Sequence, residues 1–200
     1  MSAGHALSAG FQEPVSDSAR VFRTVLDVMA RPGRVSRLPT VPDAPGGLNG
    51  GAAAVALTLL DADTPVWIDP ALLDEGVSMF LAFHTGAPVV ERAEMASFAF
   101  MPGKTCGRTL RSLRVGTAEY PDRSATAVIL VEGFQGELCA ELSGPGVDGT
   151  ADLAPAGLDS AAWDALADNA RLFPLGFDTI FVSDSSVASL PRSTRILMKG

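Results

Sequence analysis

Residues Ala125-Thr126-Ala127-Val128-Ile129-Leu130-Val131 are the stretch that decides the fold, because all but one of these side chains are apolar. A strand that is apolar at successive positions has no polar face that could contact water. It therefore belongs inside a sheet that is covered on both sides. The run predicts a central strand of a layered domain.

A helix with a clear apolar side is expected near the N-terminus. Ser16 or Asp17 can accept a hydrogen bond from the free amides of its first turn, and Pro32-Gly33 ends it. Its apolar stripe recurs at helical spacing and consists of Ala19, Phe22, Val25, Leu26 and Met29. The spacing predicts an amphipathic helix with this stripe as its buried side.

Helices and strands alternate along the rest of the chain. Helices are expected at residues 52–60, with Asn49 as a candidate cap, and at 70–84, 105–113 and 159–172. Strands are expected at residues 65–68, 97–101, 137–142, 177–182 and 187–190. The inner side of helix 70–84 would consist of Leu73, Val77, Phe80 and Leu81. This alternation favours an α/β fold, in which helices flank a mixed sheet.

The composition limits the classes of function. The 200 residues, 47% of them hydrophobic, suit a single domain over residues 1–200 with a flexible tail at 1–12. The net charge of -8 argues against binding to nucleic acid or to anionic membranes, because both require clustered cations. No long apolar run and no signal-peptide pattern occur, so a cytoplasmic protein is expected. Cys106 and Cys139 are expected to be reduced.

Three glycines fit a dinucleotide-binding pattern only in part. Gly144, Gly146 and Gly149 match G-x-G-x-x-G after an expected strand. Asp152 and Pro155, however, interrupt the stretch where the phosphate-binding helix should begin. The other interpretation is a tight Gly-Pro-Gly turn between two elements. Gly144 and Gly146 are kept as candidate ligand-binding residues.

Phosphate-loop and metal motifs are incomplete. Pro102-Gly103-Lys104-Thr105 resembles the end of a P-loop, but Phe98 stands where the loop needs its first glycine. No ATPase site is therefore expected. No metal site is expected either, because the histidines and cysteines lack the spacings of metal ligands; these are His5, His84, Cys106 and Cys139.

Two residues are candidates for a catalytic role. His84 is expected at the end of helix 70–84, next to Thr85 and Gly86, where the helix dipole favours a charged imidazole. The other interpretation of His84 is a hydrogen bond to backbone or to an interface partner. Arg192, close to Arg195, could contact an anionic ligand or an acidic partner, or it could be solvated.

Four cations recur at helical spacing in an otherwise acidic protein. Lys104, Arg108, Arg111 and Arg114 are separated by four, three and three residues, so a helix through them would gather them on one side. Such a stripe could bind an acidic partner subunit or a polyphosphate, or it could be a solvated helix face. These four residues and Thr85 are candidate ligand-binding residues.

Six short segments of the chain carry a resemblance to a known family. The first three are Phe22-Arg23 with Leu26, Met29 and Pro32-Gly33; Leu57–Asp61 with Thr64–Trp67; and Phe83–Pro88. The other three are Leu142–Gly146, Phe173–Asp178 and Leu190–Thr194. In this order, over residues 22–194, they resemble the PhnH family of carbon-phosphorus lyase complex subunits.

The resemblance implies a homodimer whose fold is similar to that of pyridoxal-phosphate-dependent transferases but lacks the cofactor. A Schiff base needs a lysine amine held in a pocket. Only Lys104, in an expected loop, and Lys199, next to the C-terminus, are available. No cofactor is therefore expected.

The resemblance also implies a place in a core complex with subunits G, I and J. That complex helps to replace the adenine of ATP by an alkylphosphonate, which gives ribose 1-alkylphosphonate 5-triphosphate. A separate radical iron-sulfur subunit then cleaves the carbon-phosphorus bond. This chain would be an accessory subunit of phosphonate catabolism.

Two main hypotheses on function remain open at this point. In the first, the protein is a structural subunit whose apolar surface is covered by its partners. In the second, it contributes directly to an active site, with His84, Arg192 or the Lys104 to Arg114 stripe touching triphosphate or phosphonate. A third hypothesis, a small pyridoxal-phosphate enzyme, would require Lys104 as the anchor.

Overall fold

The computed structural model of the chain describes residues 8–199. The helices in this range are α1 (Pro14–Ala30), α2 (Gly50–Leu59), α3 (Glu75–His84), α4 (Cys106–Leu110) and α5 (Ser160–Ala170). The strands are β1 (Ser36–Arg37), β2 (Val66–Ile68), β3 (Phe98–Pro102), β4 (Thr126–Leu130), β5 (Ala140–Ser143), β6 (Ala151–Leu153), β7 (Asp178–Val182), β8 (Ser186–Leu190) and β9 (Arg195–Met198). Short 3-10 turns lie at Ala93–Met95, Gly103–Thr105 and Pro121–Arg123.

Six strands form the main sheet, in the order β1-β8-β7-β4-β3-β2. Strands β2, β3, β4 and β7 run parallel, whereas β8 pairs antiparallel with β7, and β1 pairs antiparallel with β8 at the edge of the sheet. The predicted central strand is β4, and its residues Ala127, Val128 and Ile129 are fully buried between β3 and β7. The α/β class and the mixed sheet expected from the sequence are confirmed.

The main sheet separates two hydrophobic cores. One face packs against α1, α2 and α3, and its strand residues are Val66, Ile68, Phe100, Val128, Ile180, Val182 and Val187. The other face packs against α4 and α5, and its strand residues are Trp67, Ala99, Met101, Ala127, Ile129, Phe181, Ala188 and Leu190. Helices therefore flank the sheet on both sides, as a sheet with two apolar faces requires.

A second, three-stranded antiparallel sheet has the order β6-β5-β9. Its residues Ala140, Leu142 and Leu153 belong to the same core as α5. The sequence analysis predicted β5 but not β6, β9 or β1. These strands have two to four residues each, which is too short for a period-two pattern to stand out.

The first helix differs from its prediction at its start. It begins at Pro14 rather than after Asp17, and Glu13 is its N-cap residue. The Asp17 carboxylate lies within the helix and accepts a hydrogen bond from the Glu13 backbone N–H at 3.0 Å. Asp17 therefore stabilises the helix start from inside the first turn instead of preceding it.

The buried side of α1 also differs from the predicted stripe. Val21, Val25 and Val28 are buried, whereas Phe22 is 47% and Leu26 is 49% exposed. The prediction was wrong for Phe22 and Leu26 because the helix has two neighbouring apolar faces. The helical period alone does not say which face meets the sheet.

Three other helices show where sequence signals succeed and fail. Asn49 caps α2 by accepting a hydrogen bond from the Ala52 N–H at 2.8 Å, as expected. The third helix starts at Glu75 behind an Asp74 cap, not at Pro70. The fourth is five residues long and much shorter than predicted. Within residues 8–199 no helix has both the length and the apolar character needed to cross a membrane.

Candidate functional site

A pocket of about 610 Å³ opens beside His84. It lies where the segment before α1, the helix α1 itself, α2 and the end of α3 meet. Its lining is mostly apolar and includes Phe11, Val15, Ala19, Phe22 and Leu57, with the hydroxyls of Ser18 and Thr58 at its wall. The pocket suits an apolar or aromatic group more than a charged one.

His84 is the last residue of α3, which confirms its predicted place at a helix end. Its ring packs against Phe80 and Phe83, with centroid distances of 4.8 and 4.9 Å. Its Nε2 atom lies 3.1 Å from the Ser8 carbonyl oxygen, a hydrogen bond to backbone far away in sequence. The imidazole thus holds residues 8–10 against α3.

Among residues 8–199, no acid-base partner lines the pocket beside His84. The lining of the pocket contains neither a carboxylate nor a cysteine. Within the described range, no three His, Cys, Asp or Glu side chains are arranged to hold a metal ion. Thr85 is engaged locally, because its hydroxyl donates to the Leu81 carbonyl at 2.7 Å and accepts from the Ala87 N–H at 3.1 Å. The described part of this site can bind and hydrogen-bond a ligand but provides no proton relay for His84.

Arg192, the second candidate, is held by other protein groups. Its backbone N–H and its Nε donate to Asp178 Oδ1 at 2.9 and 3.2 Å, and its Nη2 donates to Asp178 Oδ2 at 2.6 Å. Its Nη1 donates to the Pro121 carbonyl at 2.7 Å. Only 15% of the side chain is exposed. The guanidinium therefore joins β7, the segment after β8 and the loop at Pro121.

The glycine-rich segment is a tight turn that leads into β6 rather than into a helix. Gly146 has a φ of +82°, and a Cβ at this position would lie 2.1 Å from the Ala30 carbonyl oxygen. Gly144 has a φ of +127°, and a Cβ there would lie 3.1 Å from the Ser193 carbonyl oxygen. Both positions need glycine for backbone conformation and close packing.

The four-cation stripe does not form one helix face. Since α4 ends at Leu110, Lys104 lies before it and Arg114 lies after it. Lys104 pairs with Glu132 at 2.7 Å, and Arg111 pairs with Asp168 at 2.5 Å. Arg114 donates to the Ala96 carbonyl and the Ser97 hydroxyl, both at 3.1 Å. Arg108 is exposed on α4. The expected single helix was wrong because α4 stops after little more than one turn.

Both lysines are exposed and paired with carboxylates. The hydrogen bond from Lys104 to Glu132 raises the pKa of the Lys104 ammonium. The hydrogen bond from Lys199 to Asp152, at 2.5 Å, raises the pKa of Lys199 in the same way. A Schiff-base lysine needs the opposite shift, because only the neutral amine is a nucleophile.

The segments that carry the family resemblance meet one another inside the protein. The turn Gly144–Gly146 packs against the end of α1 at Ala30 and against Ser193. Asp178, at the end of one such segment, holds Arg192 of another. Sequence reasoning treated Gly144, Gly146 and Arg192 as candidate ligand contacts. No signal in the sequence indicates that these segments contact one another.

Several large apolar side chains near the His84 pocket are exposed. Phe83 is 71% and Val15 is 88% exposed, in addition to Phe22 and Leu26. We call these four residues the apolar α1–α3 surface. Aromatic and aliphatic side chains grouped in this way on a surface mark places where other molecules bind.

Comparison with known proteins gives matches over nearly the whole chain. A family model described as "Bacterial phosphonate metabolism protein (PhnH)" matches residues 9–197. The chain is 39% identical over 189 residues to "Alpha-D-ribose 1-methylphosphonate 5-triphosphate synthase subunit PhnH" of Rhizobium meliloti (strain 1021), covering 94% of each chain. It is 32% identical over 193 residues to "Putative C-P lyase subunit protein HtxG" of Stutzerimonas stutzeri, covering 95% of this chain and 90% of the relative.

Proposed function

Because the chain belongs to the PhnH family of bacterial phosphonate metabolism proteins, we propose that it is a subunit of the carbon-phosphorus lyase system. The names of both relatives describe subunits of such assemblies. The proposed role is to support formation of ribose 1-alkylphosphonate 5-triphosphate from ATP and an alkylphosphonate. The protein would act in the cytoplasm.

The observation that carries this proposal is the apolar α1–α3 surface. Val15, Phe22 and Leu26 lie on one side of α1, and Phe83 packs against His84, which lines the same pocket as Val15 and Phe22. Leaving such side chains in water is unfavourable, by about 25 cal/mol for each Å² of apolar surface. A subunit interface would remove them from water.

A mainly structural role is supported by the state of the candidate catalytic groups. Arg192 is engaged by Asp178 and Pro121, and His84 by the Ser8 carbonyl. Lys104 is paired with Glu132. The Arg192 guanidinium and the Lys104 ammonium are held in their protonated forms by these partners, so neither serves as a nucleophile or a base, and each would have to exchange a protein partner to contact a ligand.

The proposed partners are a second copy of this chain and subunits G, I and J of the complex. The whole chain would act as one domain. The fold is proposed to be related to that of pyridoxal-phosphate-dependent transferases, and the four parallel strands with helices on both faces support this. An experimentally determined structure superposed on such a transferase would test that relationship.

Co-purification tests the docking role of the apolar α1–α3 surface. The variant V15S/F83S changes its two most exposed side chains, and the matched control L197S changes a side chain on β9 that is 66% exposed. We expect V15S/F83S to reduce recovery of the other subunits about tenfold or more, with an unchanged melting temperature. We expect L197S to behave like the wild type.

Sedimentation of the same variants separates the two kinds of partner. A monomeric V15S/F83S protein would assign the surface to the contact between two copies. A dimer that no longer binds the other subunits would assign it to one of them. Full assembly by V15S/F83S would contradict the docking role of this surface.

The pocket beside His84 favours a second candidate function, a direct contribution to an active site at an interface. The pocket adjoins the apolar α1–α3 surface, so a partner subunit could close it and complete a site. The variant H84A tests this contribution. Intact assembly together with loss of turnover would favour it, and retained turnover would exclude His84 from the chemistry.

A further inference from the structure

The segment from α1 to β1 carries an unusual concentration of arginine. Residues 20–37 contain five arginines and a single acidic residue, Asp27, in a protein whose net charge is -8. The arginines are Arg20, Arg23, Arg31, Arg34 and Arg37. No lysine occurs in this stretch. The protein therefore has a strongly basic region despite its negative net charge.

Three of these arginines border one groove. Arg23, Thr24 and Asp27 of α1 form one wall, and the segment Arg34 to Arg37 forms the other. The groove has a volume of about 560 Å³. It is formed because the turn at Pro32-Gly33 brings the chain from α1 back alongside the helix to pair β1 with β8.

The charges within the groove are not balanced. Asp27 is shared, since its carboxylate pairs with Arg31 and lies 3.3 Å from Arg34 Nη1. Arg23 and Arg37 are exposed, and neither pairs with a carboxylate of residues 8–199. Two guanidinium groups thus face the groove without an acidic partner in the described chain.

We propose that this arginine groove binds the phosphate chain of a polyphosphate ligand. Arginine presents a planar fork of N–H donors that matches the oxygens of a phosphate group and can bind it through two hydrogen bonds. A ligand with two or more negative charges would neutralise the excess of guanidinium groups. The hydroxyls of Thr24 and Ser36 lie in or beside the walls and provide further polar contacts.

The lining favours a small anion over an acidic protein segment. Protein interfaces are usually centred on aromatic or aliphatic side chains, and the groove has one apolar lining residue, Val35. Its volume falls within the range of small-molecule sites, about 300 to 1,000 Å³. On α1 the groove is lined by Arg23, Thr24 and Asp27, whereas the apolar α1–α3 surface consists of other residues on a neighbouring face of the helix.

The choice of a triphosphate as ligand rests on the proposed function, in which both ATP and the product carry one. The groove would then hold the triphosphate end of the nucleotide or product while other subunits act at the ribose. Binding to the phosphate chain alone is open to direct measurement, because inorganic tripolyphosphate has the same charged groups without the ribose.

Calorimetric titration of the purified full chain with inorganic tripolyphosphate tests the proposal. We expect saturable binding at one site per chain, weakened by added salt. The variant R23Q/R37Q should weaken it about tenfold or more, since both unpaired guanidinium groups are lost. R23K/R37K, which keeps the charge without the fork, should restore part of the affinity.

A charge-matched control separates the groove from a general effect of net charge. R92Q/R171Q removes two arginines that lie elsewhere and are 65% and 75% exposed. This control should bind tripolyphosphate like the wild type, and circular dichroism should show that both double variants are folded. Equal weakening in the two double variants, or no saturable binding by the wild type, would overturn the proposal.

Co-purification distinguishes this failure from a failure of the proposed function. If the wild type does not bind tripolyphosphate but assembles with its partners, the groove proposal falls and the subunit role stands. If the wild type does not bind tripolyphosphate and R23Q/R37Q loses its partners, the groove is instead a docking site for an acidic segment of another subunit. That result overturns the polyphosphate proposal and leaves the subunit role standing.

Discussion

Asp178 and Arg192 form a bidentate ion pair that joins the start of β7 to the segment that follows β8. Nε and Nη2 of the arginine donate to the two carboxylate oxygens at 3.2 and 2.6 Å, and the arginine backbone N–H adds a third bond at 2.9 Å. Only 15% of Arg192 and 22% of Asp178 is exposed. The pair explains why an arginine that looks like a ligand contact in the sequence is part of the protein framework.

Arg192→Gln should destabilise the protein by about 2 kcal/mol, because it leaves the partly buried Asp178 carboxylate without its ionic partner. Urea denaturation at neutral pH measures this change. Arg171→Gln is the matched control, since Arg171 is 75% exposed in its pair with Asp168, and no measurable loss is expected. Unchanged stability of R192Q with loss of turnover would instead place Arg192 in an active site.

Asn169→Ala should cost about 2 to 4 kcal/mol of folding stability, because it removes a buried pair of hydrogen bonds. The Asn169 side chain accepts from the Phe177 N–H at 2.9 Å and donates to the Phe177 carbonyl at 2.8 Å. Urea denaturation of the variant would measure the loss. Asp164→Ala on the exposed side of α5 is the control, with a change below about 0.5 kcal/mol. Equal stabilities of the two variants would contradict this role.

The contribution of Asp17 to stability should depend on pH. The hydrogen bond from the Glu13 backbone N–H, and then the Arg20 side chain, hold the pKa of Asp17 below its ordinary value. A lowered carboxyl pKa stabilises the fold above the unfolded-state value of about 3.9, and this contribution is lost as the pH falls through the folded-state pKa. Urea midpoints of wild type and Asp17→Ala should therefore converge in acid. A difference that stays constant down to about pH 2 would contradict this prediction.

The two cysteines should differ sharply in reactivity. Cys106 is fully buried, and burial raises the pKa of its thiol to about 12, whereas Cys139 is partly exposed. Because the thiolate is the reactive form, a thiol reagent should label one cysteine per native chain and the second after unfolding. The variant C139S should be unreactive until denaturant is added. Labelling of both cysteines at the same rate in the native protein would contradict the packing of α4.

Neither lysine should form a stable adduct with pyridoxal phosphate. Carboxylate partners raise the pKa of Lys104 and of Lys199, so both amines are protonated at neutral pH. Mixing the protein with pyridoxal phosphate, followed by borohydride reduction and mass spectrometry, should give no stoichiometric label. Stoichiometric labelling at Lys104, absent from a K104R variant, would revive the hypothesis of a pyridoxal-phosphate enzyme.

Less of the candidate site than of the fold could be predicted from the sequence. The position of His84 at a helix end was predictable, because Thr85-Gly86-Ala87-Pro88 follows it directly. Its hydrogen bond to Ser8 was not, because 76 residues separate the two. The partners of the cations at Lys104 and Arg111 likewise come from distant parts of the chain.

The arginine groove has a sequence signal of a different kind from the Lys104 to Arg114 stripe. The density of arginine in residues 20–37 is visible in the sequence, but its spacing is less regular than that of the stripe. Regular spacing predicts a common face only if the helix continues through all the residues. The helix α4 does not, and the turn after α1 gathers the irregularly spaced arginines instead.

The sequence by itself determined the α/β class, the central strand β4 and the capped start of α2. Asn49 accepts a hydrogen bond from the amide three residues ahead, so this information is local. Only the tertiary structure decided which apolar face of α1 is buried, where Arg192 finds its carboxylate and how β5, β6 and β9 pair. The physical reason is that caps and periodicity act over a few residues, whereas burial and ion pairing depend on which distant segments share the same space.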